Sequence, residues 1–323
     1  MASSIDLTNT THSFEFYCVL IIGSIGILTN LMNIHVSFKK EFQETTMGFY
    51  NILLSITGIL IIIFVCFLSA FPQSIGENEL ILTSDIACKL FPYFSRIFLM
   101  LNTWINVMVS TDRMILMSYN NIASYNRRSP LLKDRHKMIL YVGGLALIIC
   151  LLNFAGFLFH LETQTQIDLM TNKTLTSLHC TSTPMIVLIR DLIPMLFRVI
   201  IPLIIQIVIS IILVIKLSKL KINVRTLSLK REYRFTFTII FVNFIFIIAD
   251  LFLLISTILI NIYGYNQTYV STTSNSSAVV SFVYICSVFG EILMRYDFLF
   301  FINLFTNSKF RKESKKIYLN FLN

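Results

Sequence analysis

Cys88 and the pair Asp112-Arg113 stand at opposite ends of one apolar stretch. A helix rises ~1.5 Å per residue, so these ends lie ~37 Å apart. A bilayer's hydrocarbon core is ~30 Å thick. The stretch therefore sets a thiol at one membrane face and a charged pair at the other. The thiol can form a disulfide in an oxidising compartment. An arginine at a membrane edge is costly unless paired or solvated, so Asp112 can hold or release the Arg113 guanidinium. The ionisable residues Asp250, Glu291, Arg295 and Asp297 fall inside other apolar runs. Glu291 and Arg295 share a helix face at their spacing. Arg295 is expected to bridge to Asp250, either as a functional coupling or as a packing tie. Asn30, Asn33, Asn102, Asn106 and Asn243 suit hydrogen bonds between helices. Arg96 and Arg198, with Phe94, Phe98 and Tyr284 as apolar walls, outline a pocket for an acidic group. The competing reading is that both arginines snorkel or pair with Asp191. The histidines are scattered, with no HExxH, paired-cysteine or Gly-rich phosphate pattern. No catalytic site, metal or cofactor is expected, and the chain reads as a non-enzyme.

Long apolar elements must position these residues. Of 323 residues, 55% are hydrophobic and 13% charged, where soluble domains carry ~25% charge. Mean hydropathy is +0.75. The expected fold is an all-α membrane protein, a seven-transmembrane helix bundle. The spans run roughly Phe14–Phe38, Gly48–Phe71, Ile86–Met117, Lys137–His160, Asp191–Lys216, Arg234–Ile262 and Ala278–Leu304. Residues 1–13 are then an extracellular N-terminus, 14–304 the bundle, and 305–323 a short amphipathic helix with a cytoplasmic tail. The net charge of +9 comes from short basic segments between the spans. That pattern argues against a nucleic-acid partner and for cytosolic loops. Arg127, Arg128, Lys133 and Arg135 follow span three; Lys219, Lys221, Arg225, Lys230 and Arg231 follow span five. A multi-pass plasma-membrane protein with its N-terminus outside results. Sequons at Asn9, Asn172, Asn266 and Asn275 fall on the outer side and mark glycosylation candidates. Cys180 lies in the longest linker, on the same face as Cys88, so one disulfide between them is the economical reading. Gly143-Gly144 in the fourth span reads as close helix packing.

This layout resembles the rhodopsin-like family of G-protein-coupled receptors, and within it the divergent peptide-type and orphan members. The similarity covers nearly the whole chain in layout. Thr29-Asn30 is similar to the family's first-span Gly-Asn, and Asp112-Arg113-Met114 to its Asp-Arg-Tyr. Cys88 and Cys180 match the family disulfide, Pro202 the fifth-span proline, and Phe310-Arg311 the start of the eighth helix. Leu54 to Gly58 aligns with Leu-x-x-x-Asp, with glycine for the sodium-site acid. Phe246 to Phe252 keeps only the Phe of the sixth-span motif, and Leu299 to Asn303 lacks the seventh-span Asn-Pro-x-x-Tyr. The resemblance implies an extracellular ligand, most readily a peptide, and a heterotrimeric G protein as partners. It implies that Glu232 is the second anchor of Arg113 in an ionic lock, and that sodium has little effect. Two other readings stand: a transporter or channel using Asp250, Glu291 and Arg295, and a signalling-silent decoy receptor.

Overall fold

In lipid every backbone polar group must be bonded within the protein, so apolar runs with few breakers fold as long helices. The computed structural model describes residues 2–43, 46–74, 82–118, 135–168, 173–220, 227–267, 283, 285–290, 292–293, 300–301, 303–304 and 310–316. Helix α1 (Ala2–Ser37) leads through α2 (Lys40–Gln43) to α3 (Thr46–Ile61). A π-helical stretch, Ile62–Ala70, joins α3 to α4 (Phe71–Ser74). Helices α5 (Asp85–Ser118) and α6 (Arg135–Leu152) follow, and a 3-10 turn over Phe154–Leu158 extends α6. A hairpin of β1 (His160–Asp168) and β2 (Lys173–Thr181) comes next. Helix α7 (Pro184–Pro194), a second π-helical stretch (Met195–Ile200) and α8 (Ile201–Leu220) form one rod, and α9 (Leu227–Gln267) is the longest helix.

The chain is mostly helical, consistent with the all-α expectation, and carries one two-stranded hairpin beside the helices. Thr163, Thr165 and Ile167 recur at every second position of β1, and β-branched residues of this kind fit a pleated strand. The strands pair antiparallel, with Leu161 opposite Cys180.

Among the described residues, five helices are long and apolar enough to cross a membrane: Ser13–Ser37, Gly48–Ala70, Met138–Leu158, Met185–Ser218 and Thr236–Ile258. Helix α5 is not one of them. At 34 residues it is long enough, but Arg96, Asn102, Thr103, Asn106 and Ser110 dilute its apolar character. The expected seventh span, 278–304, is described only in part.

Helix α5 is the centre of the bundle. It packs against α3, α6, α8 and α9, while α1 lies on α3. Toward its Arg113 end the core holds Tyr50, Leu54, Ile105, Val109, Met138, Ile209, Leu213 and Ile239. Toward its Cys88 end a second cluster joins Val19, Ile61, Ile62 and Cys66 to Phe289 and Ile292. The outward faces are apolar too. Leu140, Leu147 and Leu151 of α6 are exposed, as a lipid-facing surface requires. Gly143 and Gly144 belong to that face: a Cβ at either would meet nothing within 4 Å. The expected close helix packing there is absent among the described residues.

Residues 310–316 are helical and amphipathic. Phe310 is fully buried against Phe42 and Phe300, while Arg311, Lys312, Lys315 and Lys316 are exposed. The Glu313 carboxyl is held below its usual range, first by its hydrogen bond from Lys316.

Candidate functional site

The two ends of α5 carry a disulfide and a charged pair. At one end Cys88 is fully buried and disulfide-bonded to Cys180 of β2, with Cα atoms 5.7 Å apart. The other strand is tied down as well: Asp85 Oδ1 accepts from the Leu161 N–H at 3.1 Å. Asp85 also accepts from Lys89 at 2.6 Å. The Lys89 hydrogen bond, then the Leu161 N–H, hold the Asp85 carboxyl below its usual range. Both strands of the hairpin are therefore anchored to the first turn of α5. At the other end Asp112 and Arg113 are both buried, with Arg113 Nε 3.9 Å from Asp112 Oδ2. Glu232 falls on α9, but its side chain lies outside the described residues.

Between the ends runs a buried polar seam. Asn102 donates to Thr57 Oγ1 at 2.7 Å and to the Leu54 carbonyl at 3.2 Å, tying α5 to α3. Asn33 of α1 donates to Ser55 Oγ at 2.6 Å. Two turns beyond Asn102, three helices meet on one amide. Asn243 Oδ1 of α9 accepts from Ser110 at 2.9 Å and from Asn106 at 3.5 Å, and Asn243 Nδ2 donates to Ser210 of α8 at 3.2 Å. Asn102, Asn106 and Ser110 recur every fourth residue, which stacks them along one side of α5. Asn30 donates to the Gly26 carbonyl at 2.8 Å and covers Gly58, where an added Cβ would lie 3.1 Å from Asn30 Oδ1. An amide thus crowds the position of Gly58.

Trp104 makes a further tie that the sequence reading missed. In the π-helical stretch before α8, the Ile201 N–H reaches back to the Leu196 carbonyl. The next residue, Pro202, has no N–H. The Phe197 carbonyl is left without either helical donor, and Trp104 Nε1 donates to it at 2.9 Å. The signal was the chain's single Trp on the span that faces a proline-bearing one.

The expected ligand pocket divides in two. Phe94 and Phe98 stack at 6.1 Å and both meet Phe64 of the first π-helical stretch, at 6.2 and 5.4 Å. Arg96 lies two residues from each, on the far side of α5. It reaches Asp191 of α7, with Arg96 Nη2 3.6 Å from Asp191 Oδ1. The pairing alternative is thus the arrangement found for Arg96, and the two Phe residues do not share its wall. Arg198 is half-buried in the second π-helical stretch. Tyr284 lies outside the described residues.

Asp250 is fully buried on α9. Its expected partner Arg295, and Glu291 and Asp297, lie outside the described residues. So do Asn172 and Asn275 and the side chains of Asn9 and Asn266. Gln206 of α8 was also missed; it is fully buried, and neither side-chain polar atom has a hydrogen-bond partner among the described residues. No group of His, Cys, Asp and Glu that could hold a metal occurs among the described residues.

Long apolar helices around a helix with a buried polar seam define a multi-pass membrane protein. No protein-family model matches the chain, and no curated protein matches it.

Proposed function

We propose that the chain is a plasma-membrane receptor of the rhodopsin-like type, with seven spans and its N-terminus outside. Its seventh span runs through residues 278–304. Ligand, most readily a peptide, binds at the disulfide end of α5, and a heterotrimeric G protein docks at the Arg113 end. The observation that carries this reading is α5 itself. It is stapled at Cys88, buried with its charged pair at Asp112-Arg113, and hydrogen-bonded between those ends to Asn243 of α9, which in turn donates to Ser210 of α8.

The energies suit a switch. Moving α9 against α5 and α8 must break the bonds at Asn243. Hydrogen bonds between membrane helices contribute ~0.6 kcal/mol each. Their sum is similar to an allosteric coupling of ~1–3 kcal/mol, so a ligand's preference for one arrangement can shift the balance. Displacement of α9 takes its Arg113-end half, including Glu232, away from Arg113 and opens that face to a partner. The basic residues of the loops and of 310–316 suit the anionic inner leaflet.

The deciding experiment is agonist-driven nucleotide exchange on a purified G protein, screened with peptides first. Exchange that requires Arg113 supports the receptor. Ligand binding without exchange makes the protein a decoy, and ion flux in cells lacking G proteins makes it a transporter or channel.

A further inference from the structure

At the disulfide end, two guanidinium groups converge on one carboxylate. Arg190 Nε and Nη2 donate to Asp191 Oδ1 and Oδ2 at 2.8 and 3.1 Å. Arg96 Nη2 stands 3.6 Å from the same Oδ1. The arginines are held in place by other contacts. Arg96 Nη1 donates to the Arg190 carbonyl at 3.5 Å, and the Arg190 guanidinium lies 4.5 Å over the Phe159 ring. Phe159 is buried at the base of the anchored hairpin. The carboxylate is held less firmly. The Asp191 side chain is 57% exposed, against 24% for Arg96 and 25% for Arg190.

We propose that Arg96 and Arg190 form a carboxylate-binding site, in which Asp191 is a resident stand-in that an acidic group of the ligand displaces. The inference rests on the receptor reading and narrows its ligand to one bearing a carboxylate or similar planar anion. Two arguments carry it. Successive side chains on a helix point ~100° apart, so Asp191 must curl back to chelate its neighbour. A carboxylate arriving from solvent meets the same fork without that bend, in the bidentate geometry that guanidinium favours. An exposed ion pair is also a weak hold, so Asp191 is readily exchanged.

The test uses the purified full chain with succinate as probe and neutral succinamide as control, at constant ionic strength. Thermal unfolding is followed as each is titrated. Succinate is expected to raise the unfolding temperature saturably and succinamide to leave it unchanged. Asp191→Asn should lower the half-saturating succinate concentration about fivefold, the order of an exposed pair's contribution. Arg96→Gln and Arg190→Gln should each abolish the response. Glu162→Gln removes the same charge from an exposed site on β1 and should behave as the parent. A response that survives both arginine substitutions overturns the proposal. So does an Asp191→Asn protein that matches the parent or Glu162→Gln. No G protein is present, so this result and nucleotide exchange fail separately.

Discussion

At the scale of the residue, Gln206 is the side chain that packing alone does not explain. Its amide is fully buried with no hydrogen-bond partner among the described residues, and such a group costs ~1–3 kcal/mol. Leucine has a similar length and no polar atom. Gln206→Leu is therefore expected to stabilise the purified protein by roughly 1–3 kcal/mol, read as a higher unfolding temperature in detergent. If Gln206 serves a ligand, the same variant loses binding while gaining stability, and that split separates a functional amide from a packing fault. Residue types were legible where chemistry alone fixes them. Cys88 and Cys180 form the expected disulfide, and Asp112 lies beside Arg113. Phe94 and Arg96 were expected around one pocket, but two residues along a helix face nearly opposite ways, and a list of nearby side chains ignores that phase.

Among the elements, the π-helical stretch before α8 explains why Trp104 is where it is. Trp104→Phe keeps the ring and removes the N–H, stranding the Phe197 carbonyl at a cost of ~1–3 kcal/mol. In a Pro202→Ala background the restored N–H can reach that carbonyl. The penalty for Trp104→Phe should then shrink, and unfolding of the four proteins of this cycle measures the coupling. Equal penalties in both backgrounds would show that the indole acts by packing alone. The hairpin was less legible than the helices, since a nine-residue strand of Thr, Gln and Glu reads as a polar linker until its partner is known. Its tie to α5 carries a pH signature. The folded Asp85 carboxyl titrates lower than usual, so the tie contributes above the unfolded value of about 3.9 and is lost as pH falls through the lower folded one. Amide exchange at Leu161 should stay slow at neutral and mildly acidic pH and accelerate only below about pH 4. Asp85→Asn should remove that step.

Over the whole molecule, sequence alone conveyed a membrane bundle organised on α5, but not which contacts join its helices. Asparagines at Asn102, Asn106 and Asn243 announced interhelical hydrogen bonds without naming partners, because partners depend on helix rotation and register. Once seen, the Asn243 junction makes the sharpest claim about the molecule as a switch. It joins α5, α8 and α9 through one amide, so whatever moves α9 must dismantle it. Asn243→Ala removes the bonds to Asn106, Ser110 and Ser210 together, roughly 2 kcal/mol at ~0.6 kcal/mol each. If those bonds exist only at rest, the resting arrangement loses about thirtyfold in population relative to the active one. Agonist-free nucleotide exchange should rise by that order, and Ser210→Ala, which breaks a single bond, should raise it only about threefold. Unfolding temperature should fall for Asn243→Ala by more than for Ser210→Ala. A lower unfolding temperature with unchanged basal exchange would make the junction a brace that both arrangements keep, and the moving contact would then have to lie elsewhere along α9.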